Sequence, residues 1–403
     1  MDILPDLPSG KPLKGRGAVS NPTGRFERER RHRVDDGWTS ARTGFKPASA
    51  PNEAAYDATN NAVDHEAVQN ETRFNAAVTA PPQEETRPRT RILVDATRAI
   101  LTRNSSPDIP FDRSINPYRG CEHGCVYCFA RPTHAYLGLS PGLDFETRIL
   151  AKPNAPKLLA KELSRKSYRC RPIAMGTNTD PYQPIERRLR TTRGILEVLS
   201  AFNHPLTIVT KSDAVLTDLD ILAPMAQRGL VKVCLSVTTL DPTLARKLEP
   251  RAATPQRRLA ALRALDAAGV PTGIMVSPVI PALTDTEMEA ILKTAAAMGV
   301  REAGYILLRL PLEVKDLFTE WLHAHYPDRA RHVLSLIRDT RAGGLNDASF
   351  GRRMSGQGPY AALIKARFAN ATRRFGLNQE SHAGLDCSNF AAPVKAGEQL
   401  ALF

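Results

Sequence analysis

Two hydrophobic periodicities alternate along the middle of this chain. Short apolar runs predict strands at Ile173 to Thr177, Leu206 to Lys211, Val231 to Val237, Thr272 to Val276 and Tyr305 to Leu308, with a first strand at Ser114 to Tyr118. Between them apolar residues recur at helical spacing over Pro156 to Lys166, Arg187 to Phe202, Ala214 to Arg228, Pro255 to Ala268, Thr284 to Met298 and Val314 to His325. Gly269 and Gly299 stand where two of these helices should stop. Repeated strand–helix units of this length predict a parallel sheet with helices outside, an α/β fold.

The flanks carry no such alternation. Residues 1–91 are rich in Pro, Gly, Asn, Thr, Ala and charge, and are expected to form a largely disordered basic N-terminal region. Within it, Arg25 to Arg33 interleaves arginines with Phe26, and Trp38 follows, a pattern suited to phosphates and bases or simply to solvent. Residues 92–326 form the expected core and 327–380 a helical, basic C-terminal extension. In that extension Tyr360 to Phe375 predicts an amphipathic helix with Ile364, Phe368, Ala371 and Phe375 on its apolar stripe, and Lys365, Arg367, Arg373 and Arg374 largely off it. Residues 381–403 are expected to be a flexible tail.

Composition narrows the setting. A net charge of +13 with a pI near 9.6 favours a polyanionic partner such as nucleic acid. Six cysteines, three of them clustered, do not form a disulfide framework and point to a reducing cytoplasm. The first residues lack the charged-then-apolar pattern of a signal peptide. No run of eighteen apolar residues occurs, so no membrane association is expected.

The chemistry concentrates at Cys121-Glu122-His123-Gly124-Cys125-Val126-Tyr127-Cys128, spaced C-x3-C-x2-C. Three thiolates this close suit three irons of a cubane cluster, and one iron is then left open for a small molecule. Structural zinc, the alternative for these thiols, wants four ligands in two pairs, and no second C-x2-C pair occurs.

At these residues the chain resembles the radical SAM superfamily, whose signature places an aromatic, here Tyr127, before the last cysteine. The resemblance implies a partial (βα)6 TIM-type barrel and a [4Fe–4S] cluster on Cys121, Cys125 and Cys128. It also implies S-adenosylmethionine as the second cofactor, a reductase as electron donor, and a 5′-deoxyadenosyl radical as the reactive species. Chemistry in such barrels gathers at the C-terminal strand ends. There Thr179-Asp180, Thr210-Lys211 and Leu235-Ser236 resemble the spore photoproduct lyase family and its uncharacterised bacterial, DNA repair photolyase-like relatives. The resemblance assigns Tyr127, Thr179, Asp180, Lys211 and Ser236 to the cofactor. Glu249-Pro250-Arg251, after the fourth strand, sets Arg251 either on the cofactor carboxylate or a substrate phosphate, or as an ordinary loop arginine.

Two departures stand out. The lyase family has a cysteine where this chain has Thr177, and a tyrosine where it has Phe129. Strand alternation puts Cys234 on the face of Ser236 and Thr238, which makes it a candidate hydrogen-atom donor, with Cys387 a second. Gln399-Leu400-Ala401-Leu402-Phe403 resembles the peptide that binds the bacterial DNA sliding clamp. The expectation is a monomeric radical SAM enzyme acting on nucleic acid, lyase-like. The alternatives are the same chemistry on a protein or small molecule, and a non-enzymatic iron–sulfur or clamp-associated factor.

Overall fold

A computed structural model describes residues 12–27, 89–379 and 384–393. Trp38 and the clamp-like peptide Gln399–Phe403 lie outside the described residues. In chain order the elements begin with β1 (Arg91–Val94), β2 (Thr102–Arg103), β3 (Arg113–Ile115), β4 (Tyr118–Arg119), α1 (Leu143–Thr147), β5 (Arg148–Ala151) and α2 (Ala155–Leu163). The centre contains β6 (Ile173–Met175), α3 (Glu186–Leu189), α4 (Thr191–Ala201), β7 (Leu206–Thr210), α5 (Leu219–Gln227), β8 (Val231–Ser236), α6 (Pro242–Leu248) and α7 (Pro255–Ala267). The last third contains β9 (Thr272–Val279), α8 (Met288–Ala297), β10 (Glu302–Leu307), α9 (Val314–His325), α10 (Pro327–Asp339) and α11 (Gly358–Arg374).

The main sheet has the order β10-β9-β8-β7-β6-β3-β2. Strands β3 and β6 to β10 are parallel, each beside its successor, and β2 runs antiparallel at the edge. Six parallel strands wound in one direction with helices between them make the expected partial barrel. Side-chain alternation sets its two faces. On β8, Val231, Val233 and Leu235 join the core against the helices, while Lys232 and Cys234 are half-buried on the other face. A small second sheet, β1-β5-β4, carries the chain into the cysteine loop.

Several elements differ from the sequence expectation, each for a local reason. The first strand splits, because Tyr118–Arg119 pairs with β5 and not with the main sheet. The strand from Ile173 ends at Met175, where Gly176 turns with φ +86° and lies so close that a Cβ would meet Val209 O at 2.0 Å. The helix expected over Arg187 to Phe202 is broken at Arg190, which takes φ 50°. The break lets the Glu186 carboxylate cap the second piece, accepting from the amides of Thr192 at 2.8 Å and Arg193 at 3.3 Å.

Both flanks pack on the barrel. Residues 12–27, inside the region expected to be largely disordered, form a strap in which Gly17, Ala18 and Val19 are buried. Gly17 admits no side chain, since a Cβ would sit 1.7 Å from Gly124 O in the cysteine loop. The strap is pinned at Asn21 to Asp144 (3.2 Å), at Ser20 to Glu320 (2.5 Å) and at Arg25 to Glu313 (2.5 Å).

At the other end, α11 lies on α8. Its Arg367 binds Glu289 at 2.6 Å, so that part of the expected free basic face is neutralised. Phe368 meets Tyr305 of β10 with ring centroids 4.7 Å apart. The loop before α11 bridges the open seam of the barrel. Leu307 N donates to Met354 O at 2.8 Å on the β10 side, and Arg353 pairs with Asp108 at 2.5 Å between β2 and β3. Buried Arg341 holds that loop through the carbonyls of Leu307 (2.8 Å) and Arg353 (3.0 Å). No helix among the described residues is long and apolar enough to cross a membrane.

Candidate active site at the mouth of the sheet

The cysteine loop follows β4 and crosses the C-terminal ends of the main strands. Gly120 and Gly124 take φ +79° and +68°, and this lets the chain wrap tightly. At Gly120 a Cβ would approach His134 Cε1 and Phe145 O within 2.9 Å.

Arg131 fixes the loop from inside. It donates to the carbonyls of Cys125 (2.9 Å), Pro141 (3.0 Å), Gly142 (2.9 Å) and Gly124 (3.2 Å), and pairs with Glu146 at 2.5 Å, both side chains fully buried. The other face of the Glu146 carboxylate accepts the amides of Gly17 (3.1 Å) and Ala18 (2.8 Å). One buried ion pair therefore joins the cysteine loop to the N-terminal strap.

Cys121 and Cys125 are buried and Cys128 is half-buried, and all three are free thiols. Burial pushes the Cys121 thiol far up, with Asp180 and Cys125 adding to it, and lifts Cys125 to about 12, with Glu249 adding. Thiols in this setting keep their protons until a metal centre supplies positive charge. The donors are all sulfur and electrostatically aware of one another, and no other cysteine approaches them. Cys234 lies in mid-strand, and Cys170 hydrogen-bonds Cys387 elsewhere. Among the described residues no three His, Cys, Asp or Glu side chains are grouped to hold a single metal ion. The residues present fit an iron–sulfur centre with three protein ligands.

The remaining predicted residues gather at the mouth, where several already hold partners within the protein. Tyr127 is buried with its hydroxyl turned onto Glu249 and 3.3 Å from Thr238 Oγ1, which leaves the ring as its offering to a cofactor. Lys211 stands over that ring, Nζ 5.9 Å from the centroid. Burial alone would lower the Lys211 ammonium, but Cys125 and Glu249 together raise it.

Thr179 is committed within the protein, its hydroxyl donating to Tyr118 O at 2.9 Å. Asp180 is likewise engaged. It accepts from Thr210 Oγ1 (2.7 Å), the Lys211 amide (2.7 Å) and the Tyr182 amide (2.9 Å), and lies 3.3 Å from His123 Nδ1. Burial would raise the Asp180 carboxyl, yet His123 and these donors bring it to about 2. Asp180 thus ties the cysteine loop to β6 and β7. Ser236 is buried at the end of β8, and its carbonyl accepts from Arg258 Nη1 at 2.9 Å. Arg251 is half-exposed and bound to Glu122 at 2.9 Å, lining a shallow pocket with His123, Arg187 and Arg257.

Sequence reasoning missed the residues that brace this mouth. Glu249 and Arg258 form a buried ion pair, and Glu249 also accepts from Thr238 at 2.7 Å. Burial on its own would raise Glu249; Arg258 and Lys211 hold it below its ordinary value. Glu249 lies in the Glu-Pro-Arg run after β8, where Arg251 alone drew attention. Gln183 and Asn116 were also missed. Gln183 accepts from the Glu122 amide at 2.9 Å, and Asn116 from the amides of Asn178 (3.0 Å) and Thr179 (3.3 Å).

Cys234 faces the barrel interior two residues below Ser236, beside Gly273, where a Cβ would come 2.8 Å from its sulfur. Burial raises its thiol to about 11. Cys387 packs instead by the start of β6 to β8, through Asp386 N to Gly229 O at 3.0 Å and Ala391 N to Phe202 O at 3.2 Å. That is the opposite end of the strands from the cysteine loop, so Cys387 is no hydrogen-atom donor to this site.

Residues 115–295 match the model of the radical SAM superfamily. An uncharacterised protein of Mycobacterium tuberculosis is 41% identical over 232 residues, 57% of this chain and 68% of the relative. An uncharacterised protein of Methanocaldococcus jannaschii is 31% identical over 215 residues, 53% of this chain and 76% of its own. Among solved structures, spore photoproduct lyase complexed with dinucleoside spore photoproduct superposes with a TM-score of 0.52 at 18% identity, covering 71% of this chain and 80% of the lyase. A mutant of that lyase with bound AdoMet and the same dinucleoside gives a TM-score of 0.52 at 17% identity over the same shares. At these identities the likeness is one of fold.

Proposed function

The chain belongs to the radical SAM superfamily, which implies a [4Fe–4S] cluster and S-adenosylmethionine, and on that footing we propose that it acts on nucleic acid, in a lyase-like repair of a DNA lesion. The observation that carries the reading is the all-sulfur triad at the sheet mouth, two of its thiols buried and one half-buried, with Lys211 beside it. Cys121, Cys125 and Cys128 would hold the cluster, and the cluster would supply the electron for reductive cleavage of the sulfonium cofactor.

The chain's own residues orient and exclude. Lys211 presents a fixed positive charge to the cofactor carboxylate, and the Tyr127 ring walls the site beneath it. Ser236 stands at the end of β8, the Thr179 hydroxyl braces the loop after β6 through Tyr118 O, and Asp180 keeps the ends of β6 and β7 in register with the cysteine loop. Arg131 with Glu146 and the N-terminal strap shield the loop from water. Cys234 is the interior thiol suited to return a hydrogen atom to a substrate radical, in place of the missing thiol at Thr177.

Support for nucleic acid comes from the net charge of +13 and from the fold shared with a lyase solved with a dinucleoside lesion. The test is anaerobic: iron- and sulfide-loaded protein, dithionite, S-adenosylmethionine and ultraviolet-irradiated DNA. The expected result is 5′-deoxyadenosine formation accelerated by damaged over intact DNA. Fully iron-loaded protein that forms no 5′-deoxyadenosine overturns the enzyme reading, and equal turnover with and without DNA overturns the substrate. In deuterated buffer Cys234→Ala should keep cofactor cleavage and lose solvent deuterium from the product.

A further inference from the structure

We propose that the bridged seam of the barrel is a binding site for a single strand of nucleic acid, with Arg309 taking a backbone phosphate and the rings of Phe129 and Phe350 taking flanking bases. The proposal rests on the nucleic-acid reading above and deepens it by naming where the strand enters.

Five side chains form one continuous patch. Phe129, next in sequence to the half-buried cluster cysteine Cys128, leaves 45% of its surface exposed. The Arg309 guanidinium, two residues beyond the end of β10, covers its ring at 5.1 Å. Arg309 Nη1 reaches Met354 Sδ at 3.4 Å, and the neighbouring Arg353 covers Phe350 at 4.8 Å. Phe350 is 58% exposed. Two exposed rings, each covered on one face by a guanidinium, therefore flank Arg309, and one of them is next in sequence to the cysteine triad.

The charges on this patch are unequal. Arg353 is neutralised by Asp108 at 2.5 Å and Arg352 faces Asp347 at 3.8 Å. Arg309 has no such partner among the described residues. Its Nε is buried without a hydrogen-bond acceptor, and a thioether is a weak one for Nη1. Burial, then repulsion from Arg353, lowers its guanidinium below the ordinary value. A half-buried guanidinium lacking an anion, held by a ring on one side, costs stability unless a ligand completes it. A phosphodiester supplies that anion at a planar fork, and bases stack on exposed rings whatever their sequence. An acidic peptide would supply charge but nothing for the two rings.

Three short fluorescent probes test this on the full-length, cluster-loaded protein held anaerobically: an oligodeoxynucleotide, its ribonucleotide counterpart and an abasic strand of equal length. Arg309→Met should weaken all three about tenfold and lower the slope of log affinity against log salt by about one. Arg309→Lys should recover the slope and only part of the affinity. Phe350→Ala, at an exposed position and with an unchanged melting temperature, should weaken the base-bearing strands about tenfold and leave the abasic strand unchanged. Equal loss on the abasic strand, or wild-type affinity in both Arg309→Met and Phe350→Ala, overturns the seam site while nucleic-acid binding stands. A wild-type protein that binds none of the probes overturns the nucleic-acid reading itself.

Discussion

At their C-terminal ends, strands β6 to β8 run into buried charge: Asp180 against His123, Lys211 over Tyr127, and Glu249 against Arg258. At their N-terminal ends the same strands start among rings. Phe390 lies 5.4 Å from Tyr168, 6.3 Å from Phe202 and 5.4 Å from His204, and the thiols of Cys170 and Cys387 meet beside them. The aromatic end gains from burial and ring geometry and asks nothing of a metal. The charged end gains little net stability from its ion pairs, because desolvation offsets most of their attraction. What those pairs provide is position: a lysine, a ring and a loop of thiols that a cofactor meets already placed. Stability sits below the sheet and chemistry above it, as in barrels generally.

The comparison predicts effects that should differ by end. Cys125→Ala should give the largest, reducing 5′-deoxyadenosine formation to background and lowering bound iron, while the metal-free protein melts as the wild type does. Glu249→Ala comes next, since it strands a buried arginine: urea unfolding should show a loss of about 3–5 kcal/mol. Replacing both partners, Glu249→Gln with Arg258→Met, should recover most of that loss without restoring cofactor cleavage. Stability recovered together with full cleavage would erase the distinction between the two ends.

Acid supplies the third contrast. Burial lowers His204 from 6.5 to about 4, its Nε2 accepting from Tyr168 at 2.7 Å and its Nδ1 donating to Pro205 O at 3.0 Å. The folded chain therefore binds fewer protons than the unfolded one between these values. Stability is full above about pH 6.5 and falls as pH drops towards 4, by about 2–3 kcal/mol for this group. His134 behaves alike at the mouth, lowered by burial to about 4. Denaturation curves between pH 7 and 4 should thus lose about half of their acid slope in His204→Phe, an order-of-magnitude share. The smallest effect belongs to Phe390→Ala, about 2 kcal/mol at a half-buried ring, with iron content and cofactor cleavage unchanged.

Much of the fold was legible because parallel strands buried on their helix-facing side carry apolar runs, and the helices between them repeat at 3.6 residues. The misreadings came from interactions local sequence does not display. A carboxylate capping a helix from across a break split Glu186–Ala201. A glycine pressed on the cysteine loop ordered Gly17 and its neighbours, although their composition resembles that of a disordered tail. At the site, the cysteine spacing and the strand-end residues were visible, whereas Glu146, Arg131, Glu249 and Arg258 were not. Their burial depends on partners up to 130 residues away, as with Arg16 and Glu146.

The sequence by itself determined the close spacing of three cysteines, the parallel strand–helix order and the strand ends that converge on one mouth. These follow from local spacing, which a chain cannot alter by folding. Tertiary structure alone decided which polar groups at that mouth remain free. Thr179 and Asp180 are consumed in bracing, Cys387 is carried to the far end, and Arg309 is left beside Phe129 without an anion. The physical reason is that desolvation and pairing are settled by neighbours in space, and a one-dimensional pattern does not name them.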